Sequence, residues 1–289
     1  MLVQEAMIER TRQLCREDGR LVAAMMYGSF AQGEGDEFSD IEFILFFLDD
    51  ALEDLDQEAW VSGISPVSLY YVNEYGNGTA IFENLIRGEF HFDKESDIEK
   101  IDESWKETGW FPSLDDALVL DRTGELTRRL GKIVGPPMDR NITGEVCSII
   151  NGFVNWFLFG SNLLERGELA RALDLLSFVQ RYLLKMTRLL EGNMYHWPTP
   201  SRALETDISR DAYARYAACT ARLDRGEIRS AYLSAWEWGR EMMDALGKRH
   251  DLDLPVTLLQ RMDRRITGAF EDPSSTASLR GSTYEREAP

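Results

Sequence analysis

Two acidic residues, Asp40 and Glu42, lie two positions apart at the start of an apolar run that is predicted to form a strand. Side chains at this spacing project from the same face of a strand. Two adjacent carboxylates repel each other unless they share a proton or a cation, and Mg²⁺ is commonly held by one or two carboxylates with water and substrate phosphates. The pair therefore predicts a metal site. An isolated pair of this kind is more often exposed to solvent, but the run from Ile41 to Leu48 is almost wholly apolar, as in a buried strand.

A Gly-Ser pair ends the preceding apolar run, which extends from Leu21 to Tyr27. Gly28 allows the backbone to approach an anion closely, and Ser29 offers a hydroxyl and an N–H at the start of a predicted short helix. We therefore expect this turn to bind an anion beside the acidic pair.

A Gly-Ser turn after one strand, followed by two acids that flank a hydrophobic residue, resembles the signature of the nucleotidyltransferase superfamily that includes DNA polymerase beta. The resemblance implies that Gly28 and Ser29 bind the nucleotide and that a third acid comes from a later strand of the same sheet. Glu89 is the best candidate, since it shares a predicted strand face with Arg87 and His91. An ordinary salt bridge between Glu89 and Arg87 is the alternative, and His91 is either a substrate-binding residue or a structural one.

A closer resemblance, to the lincosamide nucleotidyltransferases that modify lincomycin and clindamycin, is carried by the tracts MMYGSF, GEGDEFSDIEF, NEYG, NLIRGEFHF and ARLD. The likeness extends from the N-terminal helix to about Ala269. It implies transfer of AMP from ATP to a lincosamide hydroxyl by a homodimer, with release of pyrophosphate and inactivation of the drug. It also implies that Asp40 and Glu42 hold Mg²⁺ and that Glu89 is the general base. From the residues themselves, the acidic neighbours of Glu89 are expected to raise its pKa, and bound metal would oppose that shift.

The chain of 289 residues carries a formal net charge of −18, and residues 1–140 contribute −17 of it. A chain this acidic repels a phosphate backbone, so we expect no nucleic-acid partner. No Lys or Arg lies between Leu21 and Ile86, so an ATP triphosphate bound there needs metal, backbone N–H groups and bases from elsewhere. Four bases on predicted helices of the second half are candidates, although each is individually more typical of a solvated surface: Arg166, Arg171, Lys185 and Arg188.

The pattern of predicted elements changes near residue 140. Before it, helices over 4–18 and 51–62 accompany strands over 21–27, 41–48, 67–72, 79–82, 89–92 and 119–120. After it, the periodicity predicts only helices, over 143–166, 168–191, 209–224, 228–249 and 254–267.

The fold class expected from this pattern is α+β, with a nucleotidyltransferase catalytic domain over 1–140 built on a mixed β-sheet flanked by helices. A helical bundle over 141–270 follows, and the resemblance implies that it serves the acceptor site and dimerisation. Residues 271–289 are rich in Ser, Thr, Gly and Pro and are expected to form a disordered tail.

The uncharged stretch 146–164 is nearly long enough to span a bilayer. Its polar residues follow helical spacing, which favours a buried amphipathic helix over a membrane span. With no signal peptide and three widely spaced cysteines, the chain is expected to be cytoplasmic and to have no membrane partner. On this helix Asn151 and Asn155 are candidate acceptor-binding residues, and a buried polar seam between helices is the alternative.

Three functional interpretations remain open at the level of sequence. The first is transfer of AMP to a lincosamide. The second is the same chemistry on another acceptor, either an aminoglycoside or a protein or tRNA, as in nucleotidyltransferase-type antitoxins. The third is a catalytically silent dimeric scaffold of the same fold. The net charge of −18 disfavours tRNA, and the three acids Asp40, Glu42 and Glu89 disfavour the scaffold.

Overall fold

The computed structural model describes residues 1–105 and 109–271, with the backbone alone described for 267–271. The chain divides into two compact units, one spanning Met1–Met138 and the other beginning at Asp139. This division falls close to the boundary expected after residue 140. The expected tail lies outside the described residues, apart from Glu271, which ends the last helix.

The first unit is built on one six-stranded mixed sheet with the strand order β3-β4-β5-β2-β1-β6. Strands β2 and β5 are parallel to each other, and all other neighbouring strands are antiparallel. The predicted mixed sheet is therefore confirmed. Its strands are β1 (Leu21–Met26), β2 (Ile41–Phe47), β3 (Val67–Val72), β4 (Gly78–Phe82), β5 (Arg87–Lys94) and β6 (Leu118–Asp121).

Short helices and one longer one accompany this sheet. The predicted helix over 51–62 begins only after Asp56, because the Asp56 carboxylate accepts a hydrogen bond from the N–H of Ala59 and caps the helix there. The helices are α1 (Val3–Glu17), α2 (Gly28–Ala31), α3 (Gln57–Ser62), a 3₁₀ helix (Glu95–Lys100), α4 (Ile101–Ser104), α5 (Leu114–Ala117) and α6 (Glu125–Leu130).

The middle of the sheet is apolar on both faces. All six residues of β1 are buried, and so is every residue of β2 except Glu42. On one face the ring of Phe43 stacks on that of Phe90, with ring centroids 6.0 Å apart. Polar side chains are thus confined to one end of the central strands, and that is where the candidate site lies.

The second unit is entirely helical within its described residues, as predicted. Its helices are α7 (Thr143–Arg166), α8 (Leu169–Glu191), α9 (Leu204–Asp207), α10 (Arg210–Ala218), α11 (Arg225–His250) and α12 (Val256–Glu271). Helix α10 is shorter than the predicted 209–224. The α+β fold class is confirmed.

Helix α7 is long and apolar enough to cross a membrane by length and composition alone. Half of its most apolar window is buried inside the protein, where residues such as Phe153 and Phe157 pack in the core of the helical unit. These contacts are those of a core helix in a globular bundle.

Arg188 on α8 is fully buried and holds the loop between α8 and α10. Its guanidinium donates to the carbonyl oxygens of Pro200 (3.1 Å) and Arg202 (2.9 Å) and to the carboxylate of Asp207 (2.9 Å). Asp207 also contacts Nδ1 of His196 at 2.6 Å. Arg188 is therefore a structural residue, which corrects its candidacy as a triphosphate ligand: its donors are committed within the helical unit.

Arg188→Ala should destabilise the protein strongly, because it leaves Asp207 and two carbonyl groups without their buried donor. Loss of one partner of a buried charge pair costs about 3–5 kcal/mol. Arg166→Ala is the matched control, since Arg166 is largely exposed and should shift the free energy of unfolding by less than about 0.5 kcal/mol. Urea unfolding of both variants measures the difference. Equal effects would contradict the structural role of Arg188.

Candidate active site

The loop before β2 places Asp40 and Glu42 at the end of the sheet. Gln4 of α1 is buried, and its amide donates to the carbonyl oxygens of Glu37 (3.0 Å) and Ser39 (3.1 Å). This clamp fixes the chain just before Asp40. Ile41 is then buried, so Asp40 and Glu42 lie on the opposite, partly exposed face.

Gly28 lies directly against the carboxylate of Glu42. Its φ of +73° is in the left-handed region, and a Cβ at this position would lie 1.4 Å from Oε2 of Glu42. Only glycine fits both the conformation and the space. Beside it, Ser29 is 6% exposed, and within the described part of the chain its Oγ has no hydrogen-bond partner. A buried hydroxyl that has no protein partner is available to a ligand or to an ordered water.

The parallel pairing of β2 and β5 brings the third acid to the same face. Glu42 is the register partner of Glu89, and Glu89 is in turn the partner of Thr79 on β4. Oε1 of Glu89 accepts hydrogen bonds from the hydroxyl of Tyr27 (3.0 Å) and from the amide of Asn77 (3.5 Å). The structure therefore gathers all three predicted acids into one cluster.

Arg87 bridges two members of this cluster. Its Nη1 donates to Oδ2 of Asp40 at 2.5 Å, and its Nη2 donates to Oε2 of Glu89. The salt bridge that the sequence offered as an alternative role for Glu89 is thus present, and it extends to Asp40 as well.

The pKa of Glu89 is lowered, which contradicts the expectation that its acidic neighbours raise it. Burial alone raises the pKa of this carboxyl, but hydrogen bonds from Arg87 and Tyr27 stabilise the charged form and outweigh burial. Glu89 is therefore ionised at neutral pH, as a general base must be.

The helical unit is similar to a known protein family. Residues 143–265 match the family model described as "Lincosamide nucleotidyltransferase-like, C-terminal domain". This match covers less than half of the chain. It supports the assignment to the nucleotidyltransferase superfamily, at which level it agrees with the resemblance, and it supports a nucleotidyltransferase enzyme.

Two solved structures are similar at low identity. An aminoglycoside 6-adenyltransferase from Bacillus subtilis has 13% identity and a TM-score of 0.44, with 91% of this chain and 97% of that chain covered. A nucleotidyltransferase-like protein from Exiguobacterium sibiricum 255-15 has 15% identity and a TM-score of 0.39, with 84% and 77% covered. At such scores neither structure bears on the acceptor of this nucleotidyltransferase. No curated protein sequence matches the chain.

The acidic cluster of the nucleotidyltransferase fits a divalent cation. Among residues 1–105 and 109–271, no group of three or more His, Cys, Asp or Glu side chains is arranged to hold a metal ion. Asp40 and Glu42 instead form the smaller set that Mg²⁺ uses when substrate phosphates complete its coordination. The partnerless hydroxyl of Ser29 beside them fits a phosphate oxygen.

Tyr27 and Asn77 are site residues that the sequence analysis missed. The hydroxyl of Tyr27 lies 3.0 Å from both Oε1 of Glu89 and Nε2 of His91. Burial raises the pKa of Tyr27 far above its usual value, as do the charges of Glu89 and Glu42, so the hydroxyl stays protonated. Burial has the opposite effect on His91 and lowers its pKa, because the charged form of histidine is the protonated one. Tyr27 directly precedes the Gly-Ser turn, and this position in the sequence could have indicated that it belongs to the site.

The remaining candidates lie in the helical unit. Asn151 and Asn155 are exposed on α7, and the predicted buried polar seam is therefore absent at these two positions. Lys185 lies over the ring of Trp197, 5.0 Å from its centroid, and Arg171 lies over the ring of Phe159, 5.4 Å from its centroid.

Gly28→Ala should abolish most of the activity, and Gly33→Ala provides a matched control. Gly33 has nearly the same φ, +76°, but a Cβ at this position would meet no other part of the chain within 4 Å. Both variants carry left-handed strain of about 1–2 kcal/mol. Only Gly28→Ala displaces Glu42, and a displacement of about 1 Å in an active site can cost roughly a hundredfold in rate. Nucleotidyl transfer and thermal unfolding measured together separate the two effects. Similar rates for both variants would contradict the contact with Glu42.

Proposed function

We propose that this nucleotidyltransferase transfers AMP from ATP to a hydroxyl of a lincosamide antibiotic, such as lincomycin or clindamycin, and so inactivates the drug. The observation that carries the proposal is the cluster of Asp40, Glu42 and Glu89 beside the Gly28–Ser29 turn. The match of the helical unit to a lincosamide nucleotidyltransferase-like family supports the choice of acceptor.

In this proposal Asp40 and Glu42 hold Mg²⁺. Bound there, the ion would offset the charge that develops on the α-phosphoryl group and on the leaving pyrophosphate. Gly28 keeps the backbone of the turn free of a side chain, so the nucleotide can approach it closely. Ser29 donates its hydroxyl, which has no partner in the described chain, to a phosphate oxygen.

Glu89 acts as the general base. The acceptor hydroxyl oxygen attacks the α-phosphorus of ATP, the bond from that phosphorus to the bridging oxygen breaks, and pyrophosphate leaves. Glu89 takes the hydroxyl proton. Tyr27 and Asn77 hold Oε1 of Glu89 and thereby fix the orientation of its carboxylate.

We propose that Asn151 and Asn155 of the helical unit bind the acceptor. Asn151 and Asn155 are exposed on α7, near an aromatic surface where Trp156 stacks on Phe178 with centroids 4.6 Å apart. Polar amides beside aromatic rings suit a ligand with a sugar and an apolar portion. We further propose that the enzyme is a homodimer, that it acts in the cytoplasm, and that His91 contacts the acceptor.

The decisive experiment is mass spectrometry of the acceptor after incubation with enzyme, ATP and Mg²⁺. We expect lincomycin and clindamycin to gain one AMP unit. Asp40→Asn and Glu42→Gln should remove the product, and Glu89→Gln should lower kcat by about 10²–10⁴-fold. Glu53→Gln, which neutralises an exposed acid of the same unit, should leave the rate unchanged.

Aminoglycosides, assayed in parallel, test the main alternative acceptor. A product with aminoglycosides and none with lincosamides would overturn the acceptor but keep the chemistry. Absence of any product, together with ATP binding that Mg²⁺ does not affect, would favour the silent scaffold.

The acid limb of the pH profile tests Glu89 as the base. Because hydrogen bonds lower its folded-state pKa below the usual 4.5, Glu89 stays ionised at any pH above that value. The profile of kcat/KM reports the base in the free enzyme, so its acid limb should have a midpoint below 4.5. Rates measured from about pH 8 down to the lowest pH at which the protein stays folded check this. A midpoint of the acid limb at about pH 6 would contradict the proposal that Glu89 is the ionised base.

A further inference from the structure

Arg87 is the first basic residue after Arg20 in the sequence, and its guanidinium lies inside the acidic cluster. Its two terminal nitrogens reach different carboxylates, Oδ2 of Asp40 and Oε2 of Glu89. A guanidinium presents its donors as a rigid fork, which suits such a bridge better than a point charge does.

Both carboxylate oxygens of Glu89 accept hydrogen bonds. Oε2 accepts from Arg87, and Oε1 accepts from Tyr27 and Asn77. A base must accept the proton of the acceptor hydroxyl, and the ion pair with Arg87 stabilises the charged carboxylate and so weakens Glu89 as a base. Arg87 also engages Oδ2 of Asp40, an oxygen that is a candidate metal ligand.

We propose that Arg87 is an exchangeable counter-ion: it bridges Asp40 and Glu89 in the nucleotide-free enzyme and moves to the phosphates of the nucleotide when Mg²⁺ and ATP bind. The inference rests on the proposed function. It adds Arg87 to the residues that bind the nucleotide. It also means that Arg87 stays paired with the general base, Glu89, until substrate is present.

Electrostatics favours this exchange in both states. Without ligand, a single cation reduces the repulsion between carboxylates that share one face. When Mg²⁺ binds Asp40 and Glu42, it supplies that positive charge and repels the guanidinium, while the triphosphate offers oxygen pairs that match the guanidinium fork. The Arg87 side chain is 40% exposed, so it has room to move.

The test measures two affinities in Arg87→Gln, and the proposal predicts opposite signs for them. Without nucleotide, the dissociation constant of Mn²⁺, followed by electron paramagnetic resonance, should fall roughly tenfold, because a competing cation is gone. With Mg²⁺ present, the dissociation constant of an ATP analogue with a methylene in the α,β-bridge should rise roughly tenfold, because a phosphate ligand is gone. General damage to the fold would instead weaken the binding of both Mn²⁺ and the ATP analogue.

Arg20→Gln is the matched control. Arg20 pairs with Asp18 on the surface of the same unit, so this variant makes the same change in net charge away from the cluster. It should change both constants by less than about twofold. Arg87→Lys keeps the charge but cannot span both carboxylates, so its values should lie between those of wild type and Arg87→Gln. Thermal unfolding confirms that each variant is folded, and Arg87→Lys carries the test if Arg87→Gln is not.

The outcomes separate this inference from the function on which it rests. If wild type binds Mn²⁺, Asp40→Asn loses that binding, and Arg87→Gln behaves as Arg20→Gln does, the metal site stands and the exchange is wrong. If both constants rise in Arg87→Gln, Arg87 only supports the fold of the cluster, and the exchange is again wrong. If Asp40→Asn binds Mn²⁺ as wild type does, the proposed metal site itself fails.

Discussion

Repulsion among three carboxylates on one face of a sheet is the constraint on which the rest of this structure depends. Two like charges about 4 Å apart repel by about 4 kcal/mol at an effective dielectric constant of about 20. Asp40, Glu42 and Glu89 have to be held together against this repulsion by the rest of the unit. Arg87 offsets part of it directly, and the hydroxyl of Tyr27 and the amide of Asn77 stabilise the charge on Glu89. The buried aromatic core behind the cluster keeps the strands from moving apart.

The same apolar core fixes which side chains face the site. Glu42 lies beside Glu89 only because β2 and β5 pair in one register, and in that register Phe43 also stacks on Phe90. A slip of β2 by one residue would turn Glu42 away from Glu89 and would remove Phe43 from the face on which it stacks on Phe90. The arrangement of the acids is therefore specified by hydrophobic pairing, and the acids themselves contribute only repulsion to the choice of register.

Much of this arrangement could be predicted from the sequence. The apolar runs and the Gly-Ser turn located β1, β2 and the pair of acids, and the alternation around Glu89 placed it on one face with Arg87 and His91. Asn77 could not be found in this way, because its role depends on strand register and on the β3–β4 turn, which bring residues distant in sequence together. For Tyr27 the only sequence signal was its position directly before the Gly-Ser turn. The lowered pKa of Glu89 was missed for a related reason: a count of nearby acids does not show that Arg87 bridges two of them.

The structure also narrows where the positive charge for a triphosphate can come from. Of the four bases that the sequence suggested on the second half, Arg188 is committed to buried carbonyl groups and to Asp207. Lys185 is half-buried against Trp197, and Arg171 lies over Phe159 and pairs with Glu168. The guanidinium of Arg87 already lies among the acids, so a positive charge is present there without any base from the helical unit. Because an acidic cluster with its own movable cation can exchange that cation for a metal–nucleotide complex, the absence of Lys and Arg between residues 21 and 86 is compatible with binding ATP.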